Sequence, residues 1–175
     1  MNGVVVWFTG LPQSGKSTLA ARLCEAMKPR RRCVLLDSDE VRQALGAEGY
    51  GATDRDAFYR SLAALAAVLA RQGHVVVVAA TAPRLAYRAR ARAAWPRFLE
   101  VWVRTSLRDC QARDQKGLYA RAAAGEAPEL PGMGAEYEAP PAPDVVAQGG
   151  QDEHALAAVI AKLDAMADQG VDQPA

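Results

Sequence analysis

Cysteine and histidine are scarce: the 175-residue chain has three of the first and two of the second. Cys24, Cys33 and Cys110 are odd in number, have no C-x-x-C spacing and have no histidine neighbours, which argues against a disulfide framework and a zinc site. His74 and His154 stand alone and read as a strand-edge and a helix-surface residue. Charge of one sign is lacking as well. Lys and Arg number 21 against 20 Asp and Glu, a net +1, so no global field draws the protein to nucleic acid or to an acidic membrane. Any positive field must be local. Long apolar runs are missing too. The opening run Val4–Phe8 is far too short to span a bilayer, and no basic segment precedes it, so the expectation is a cytoplasmic protein without a membrane partner. Arg84, Arg88, Arg90, Arg92 and Arg97 cluster, but without interleaved aromatics they read as the solvated face of an Ala-rich helix and not as a nucleic-acid surface.

What is present is ordinary globular composition, half apolar and 23% charged, in a length that suits one domain over residues 1–175. Short β-branched runs alternate with longer Ala/Leu/Arg stretches, the pattern of βαβ units. Strands are expected over Val4–Phe8, Cys33–Leu36, His74–Ala80 and Phe98–Val103, and helices over Thr18–Met27, Asp54–Gln72, Arg84–Ala94 and Asp152–Ala167. In the second of these helices Leu62, Leu65, Val68 and Leu69 share a side, and Gly73 follows as a natural stop. The strands are continuously apolar, which implies burial on both faces. The expected fold is α/β, three layers with a mostly parallel sheet flanked by helices. From Gly117 to Gly150 glycine, proline and alanine become dense, and residues 115–141 read as an ordered lid loop. Residues 168–175 read as a frayed tail.

Gly10-Leu11-Pro12-Gln13-Ser14-Gly15-Lys16-Ser17 matches G-x-x-x-x-G-K-[ST] and lies between an expected strand and an expected helix. The glycines let the backbone wrap a phosphate, and the N–H groups of the loop and helix start, Thr18 included, point at negative charge. Lys16 then reaches the β- and γ-phosphates of ATP, and the Ser17 hydroxyl completes a Mg²⁺ shell. The valine strand ends in Ala79-Ala80-Thr81 without a carboxylate, so the acidic pair Asp37 and Asp39 is the one in strand-end position, with Asp37 as the second metal ligand. No Asn-Lys-x-Asp segment is present, which points to small-molecule kinases over switch GTPases and to a fold of the P-loop kinase type.

Strand ends of a parallel sheet face the ligand crevice. Leu35-Leu36-Asp37-Ser38-Asp39-Glu40-Val41-Arg42 therefore brings two carboxylates and an arginine to it. Asp39 can take or orient the proton of an acceptor hydroxyl, and Arg42 can hold an anionic group. Spacing alone leaves open whether Asp37 or Asp39 instead caps the helix that follows.

Several dispersed segments make the chain resemble the adenylyl-sulfate kinase family, which phosphorylates the 3′-hydroxyl of adenosine 5′-phosphosulfate with MgATP. They are Trp7-Phe8-Thr9-Gly10-Leu11, Leu36–Arg42 (close to L-D-G-D-x-V-R), Asp54-Arg55, Arg113-Asp114-Gln115-Lys116-Gly117-Leu118-Tyr119, Ala124-Gly125-Glu126 and Tyr137-Glu138-Ala139-Pro140, within about Val4 to Val146. The resemblance implies that Asp39 meets the acceptor hydroxyl, that Arg42 and Arg55 bind the sulfo-phosphate end, and that Tyr50 stacks on the acceptor adenine. Lys116 would be the lid cation, Arg113 a contact to the ATP base, and Phe58, Ala82 and Leu118 further acceptor-side positions. It also implies a homodimer. From the residues alone, Arg55, Tyr50 and Lys116 read equally as a solvated helix residue, a loop aromatic and a surface lysine.

Three departures fall on the acceptor side. Phe58 stands where the family has Asn; Ala80-Thr81-Ala82-Pro83-Arg84-Leu85 replaces F-I-S-P-F-R; Ser38 replaces a glycine. An amide replaced by a ring removes hydrogen bonds worth about 1–3 kcal/mol where a partner is left unpaired, and Arg84 adds a cation near the expected pocket. Two other readings are therefore open: the same chemistry on a different nucleotide-like or anionic metabolite, and a nucleotide-binding regulatory domain without turnover.

Overall fold

The computed structural model describes residues 3–168, so the end of the expected tail, residues 169–175, lies outside the described residues. Five strands, β1 (Val4–Thr9), β2 (Cys33–Asp37), β3 (Val75–Ala79), β4 (Phe98–Val103) and β5 (Val145–Ala147), form one sheet in the order β2-β3-β1-β4-β5. Every neighbouring pair is parallel. Among the described residues, six helices connect them, α1 (Lys16–Met27), α2 (Ser38–Leu45), α3 (Ala52–Arg71), α4 (Leu85–Ala94), α5 (Leu107–Ala112) and α6 (Leu118–Ala123), and α7 (Glu153–Asp168) follows β5.

The alternating sides of β1 explain the three layers. Val4, Val6 and Phe8 pack with Leu19, Leu23 and Met27 of α1 and Val159 and Leu163 of α7. Val5 and Trp7 face the other way, onto Phe58, Leu62 and Ala66 of α3 and Tyr87 and Ala91 of α4. Both faces of the strand are covered, so it can be apolar throughout. Full burial of Leu19 and Leu23, at about 1.5–3 kcal/mol each relative to exposure, fixes α1 and hence the loop that precedes it.

Three expectations need correction. The first turn of α1 already contains Lys16 and Ser17. Leu65 and Val68 are exposed, while Leu62 is buried and Leu69 partly so; the buried face of α3 is Phe58, Tyr59, Leu62, Ala63, Ala66, Ala67 and Ala70, its alanines letting that part of the helix lie close to the sheet. The arginine cluster is not simply a solvated face. Arg88 is buried and donates to Glu100, Arg90 pairs with Asp56, Arg92 pairs with Asp144, and Arg97 donates to the Met166 carbonyl.

Strand order places β1 between β3 and β4, with the chain reaching one neighbour through α1 and β2 and the other directly from α4. This is the kind of switch point where a crevice opens beyond the carboxyl ends of the strands. Residues from Pro12, Asp37, Ala79 and Gln148, each at or just past the end of a different strand, line one cleft there of about 1290 Å³.

Candidate active site

The loop from Gly10 to Gly15 needs backbone that only particular residues allow. Gly15 has φ 102°, and a Cβ on it would sit 2.4 Å from the Gly150 nitrogen. Two segments distant in sequence thus meet at a glycine, the first opening α1 and the second following β5. Gln13 also adopts positive φ, at 63°. Ser14 is fully buried and its side chain is off the cleft wall; its carbonyl accepts a hydrogen bond from the Thr105 hydroxyl at 2.7 Å, tying the loop to the end of β4. Gly10 likewise contributes only main chain, its carbonyl accepting from Lys16.

Lys16 folds back along this loop, its Nζ donating to the Gly10 carbonyl at 3.1 Å and the Leu11 carbonyl at 2.7 Å. Burial pushes its ammonium down to about 8, against the pull of Asp39 and Asp37 nearby. An anion in the cleft would restore the charge. Ser17, one residue on, donates from its hydroxyl to Asp37 Oδ2 at 2.5 Å. The other oxygen, Asp37 Oδ1, accepts from the Asp39 backbone N–H at 2.9 Å and caps α2. The capping and the metal-ligand readings of Asp37 are therefore compatible. A hydroxyl and a carboxylate side by side at the cleft form a donor set suited to Mg²⁺, a hard cation that keeps several waters and needs few protein oxygens.

Asp39 is largely exposed at the start of α2 and accepts a hydrogen bond from Lys116 Nζ at 2.5 Å. That bond holds the Lys116 ammonium above its ordinary value. Lys116 comes from the short turn between α5 and α6, so the lid segment already touches the acceptor side of the cleft. Its other attachments are firm. Tyr119 donates to the Pro12 carbonyl at 2.8 Å, Tyr137 and Thr9 share a 3.0 Å hydroxyl contact, and the Glu138 N–H donates to the Pro83 carbonyl at 2.8 Å.

Beside Asp39, Arg42, Tyr50 and Arg55 also line the cleft. Arg42 is 8% exposed. Its guanidinium lies 3.9 Å from the Phe58 ring centroid and 4.6 Å from that of Tyr50, while Nη1 donates to the Ala47 and Gly49 carbonyls, each at 3.1 Å. Arg55 donates to the Glu129 carbonyl at 2.7 Å, fixing the lid's Glu126–Pro131 stretch as a wall of the same cleft. Thr18, Arg113 and Leu118 are on its lining as well.

Phe58 and Ala82 are not. Phe58 is beneath Arg42 and edge-on to Tyr59, and Ala82 is fully buried, its N–H donating to the Tyr59 hydroxyl at 3.0 Å and its carbonyl accepting from Arg88. Arg84 sits exposed at the N-cap of α4 and takes no part in the lining. These three changed positions are thus off the cleft lining, whereas Ser38 and Thr81, which also depart from the family pattern, are on it. Sequence reasoning missed Tyr59, Thr81 and the Gln148–Asp152 stretch, all lining residues. The Gly149-Gly150 pair was the only local signal for the last of these. Among the described residues no group of three or more His, Cys, Asp or Glu side chains gathers as a metal cluster, and no helix is long and apolar enough to cross a membrane.

The family model for adenylylsulphate kinase matches residues 2–148. An adenylyl-sulfate kinase of Enterobacter sp. (strain 638) is 43% identical over 153 residues, covering 85% of this chain and 76% of that protein. A probable bifunctional SAT/APS kinase of Sorangium cellulosum (strain So ce56) is 42% identical over 168 residues; 94% of this chain aligns, but the match spans 29% of that longer protein. Among solved structures, the APS kinase of Mycobacterium tuberculosis in complex with AMPPNP and APS superposes with a TM-score of 0.86 at 37% identity, covering 93% of this chain and 98% of that one.

Proposed function

The chain belongs to the adenylylsulphate kinase family, and on that premise we propose that it transfers the γ-phosphoryl group of ATP to the 3′-hydroxyl of adenylyl sulfate, giving 3′-phosphoadenylyl sulfate and ADP. The observation that carries this reading is the opening of Lys16, Ser17, Asp37 and Asp39 onto one cleft whose lining also includes Arg42, Tyr50 and Arg55. One part of that lining suits a polyphosphate and the other an anionic, base-bearing acceptor.

In this mechanism the loop amides and Lys16 bind the β- and γ-phosphates. Asp39 orients the acceptor hydroxyl and accepts its proton as the hydroxyl oxygen bonds to the γ-phosphorus and the bond to the β–γ bridging oxygen breaks, releasing ADP. Lys116 leaves its pairing with Asp39 for the charge that develops on the transferring group, and the lid keeps out water that would otherwise hydrolyse ATP. Arg42 and Arg55 take the sulfo-phosphate end, Tyr50 the adenine, and Arg113 the ATP base. Ser17 and Asp37 would hold Mg²⁺, which supplies electrostatic neutralisation of the phosphate oxygens. A cytoplasmic setting suits the need for ATP, and a homodimer is the assembly proposed.

Of the departures behind the reading in which the acceptor is another metabolite, Phe58, Ala82 and Arg84 are off the cleft lining, whereas Ser38 and Thr81 are on it, so that reading now rests on those two. The test is a panel of acceptors offered with γ-labelled ATP: adenylyl sulfate, adenosine 5′-phosphate, and phosphorylated sugars. Label in the 3′-position of adenylyl sulfate is expected. Label entering another acceptor at a higher kcat/KM refutes the assignment.

A further inference from the structure

We infer that Phe58 is a positioning residue for acceptor binding, acting through Arg42; this rests on the acceptor assignment above. The observation is one guanidinium shared by two aromatic rings. The Arg42 guanidinium carbon lies over the Phe58 ring at 3.9 Å and over the Tyr50 ring at 4.6 Å. The two aromatic partners differ in kind. Phe58 is 4% exposed and braced edge-on by Tyr59, whose rings are 5.3 Å apart, and Tyr59 in turn stacks on Tyr87 at 4.7 Å. Tyr50 is 56% exposed on the loop between α2 and α3.

One of the two rings at Arg42 is thus fixed in the core, and the other stands exposed on a loop and can serve elsewhere. If Tyr50 turns to stack on an acceptor base, Arg42 loses one aromatic neighbour while Phe58 still holds its plane. The two carbonyls of Ala47 and Gly49 take Nη1 and set the rotation within that plane. Nε and Nη2 donate to no such partner among the described residues, and Arg42 lines the cleft, so those donors form the edge presented to an anion. A planar guanidinium clamped on a ring face loses less freedom on binding than one held only at an edge, and desolvated stacking of this kind is among the stronger cation–π arrangements.

The asparagine usual at this position would meet the acceptor directly. Phe58 does not reach the cleft, so its contribution has to pass through Arg42. An amide restored there, in this chain, would remove the stacking face and weaken binding.

Two measurements on the full chain test this. In the free protein, the Arg42 side-chain NMR resonances are expected to carry an upfield ring-current shift whose Phe58 share is lost in Phe58→Leu and Phe58→Asn and kept in Phe58→Tyr. In steady-state assays with ATP, the acceptor KM is expected to rise about tenfold in Phe58→Leu and Phe58→Asn, equivalent to about 1.4 kcal/mol. KM for ATP should stay within about twofold, and Phe58→Tyr should rescue the acceptor KM. A merely structural role would move both Michaelis constants, or the melting temperature alone. An Arg42 spectrum unaltered by Phe58→Leu, or an acceptor KM unaltered when that shift is lost, overturns the inference. A wild-type enzyme that keeps the ring-current shift but does not turn over adenylyl sulfate counts against the acceptor assignment and leaves the Phe58–Arg42 clamp standing.

Discussion

Lys116 and Asp39 are joined across the cleft, Nζ to Oδ2, at 2.5 Å, although 77 residues separate them in the chain. Both side chains are about 60% exposed, so the pair adds little to stability; its significance is positional. On the proposed function, a lid cation resting on Asp39 is already within reach of both substrates. Replacing it by Met should therefore leave the melting temperature within about 1–2 °C, as expected where an exposed pair is worth well under 1 kcal/mol. It should lower kcat about a hundredfold or more, as loss of one group that stabilises transition-state charge does. Thermal melts and initial rates on Lys116→Met read both.

Lys16 gives a pH signature. Burial lowers its ammonium to about 8 in the free protein, so above that pH the free enzyme carries it mostly neutral. Bound phosphates favour the charged form and raise its pKa. Nucleotide binding is thus expected to take up a proton above about pH 8 and almost none at pH 6.5, and affinity should fall as pH rises through 8. Titration calorimetry of ADP in two buffers of different ionisation enthalpy, at pH 6.5 and 8.5, measures the uptake. Equal uptake at both values contradicts it.

The close approach at Gly15 is a steric prediction. A methyl group there meets the Gly150 nitrogen at 2.4 Å and must accept φ 102°. Gly15→Ala should weaken ATP binding at least tenfold and lower stability by about 1–2 kcal/mol from the backbone alone. Equilibrium dialysis and urea unfolding read the two effects separately.

Arg88 is the buried charge on which the acceptor-side backbone hangs. It pairs with Glu100 through Nε and donates to the carbonyls of Ala82 and Glu138, joining β4, the end of β3 and the base of the lid. Removing one member of a buried pair leaves the other uncompensated, at about 3–5 kcal/mol. Arg88→Met should therefore unfold at markedly lower urea concentration than the wild type, and Arg88→Met/Glu100→Leu should recover part of that loss. A double variant no better than the single one contradicts the pairing argument.

How far the sequence could be read follows from where each signal is stored. The runs of β1 through β4 are local and apolar, so their strands and the parallel sheet were legible. β5 is three residues, Val145–Ala147, in a stretch of Pro, Gly and Ala, and it is a strand only because β4 is there to pair with it. The six-residue α5 and α6 are too short to establish a helical period. In the cleft, Lys16, Ser17, Asp37 and Asp39 were legible because each lies in a contiguous motif at the end of a strand. The burial of Phe58 and Ala82 was not. Both depend on the stacking of Tyr59 against Tyr87, a contact between α3 and α4 that no spacing within either helix encodes. The same is true of half of the face expected for α3: Leu62 and Leu69 do pack on the core, but alanines take the places expected of Leu65 and Val68.

Single-turnover phosphoryl transfer from ATP to adenylyl sulfate, compared between the wild type and Asp39→Asn at saturating nucleotide, tests the central claim most directly. The account predicts that the wild type forms 3′-phosphoadenylyl sulfate and that Asp39→Asn binds ADP with unchanged affinity while its transfer rate falls by about 10²–10⁴, the range for loss of a general base. Equal transfer rates in the two proteins would contradict it.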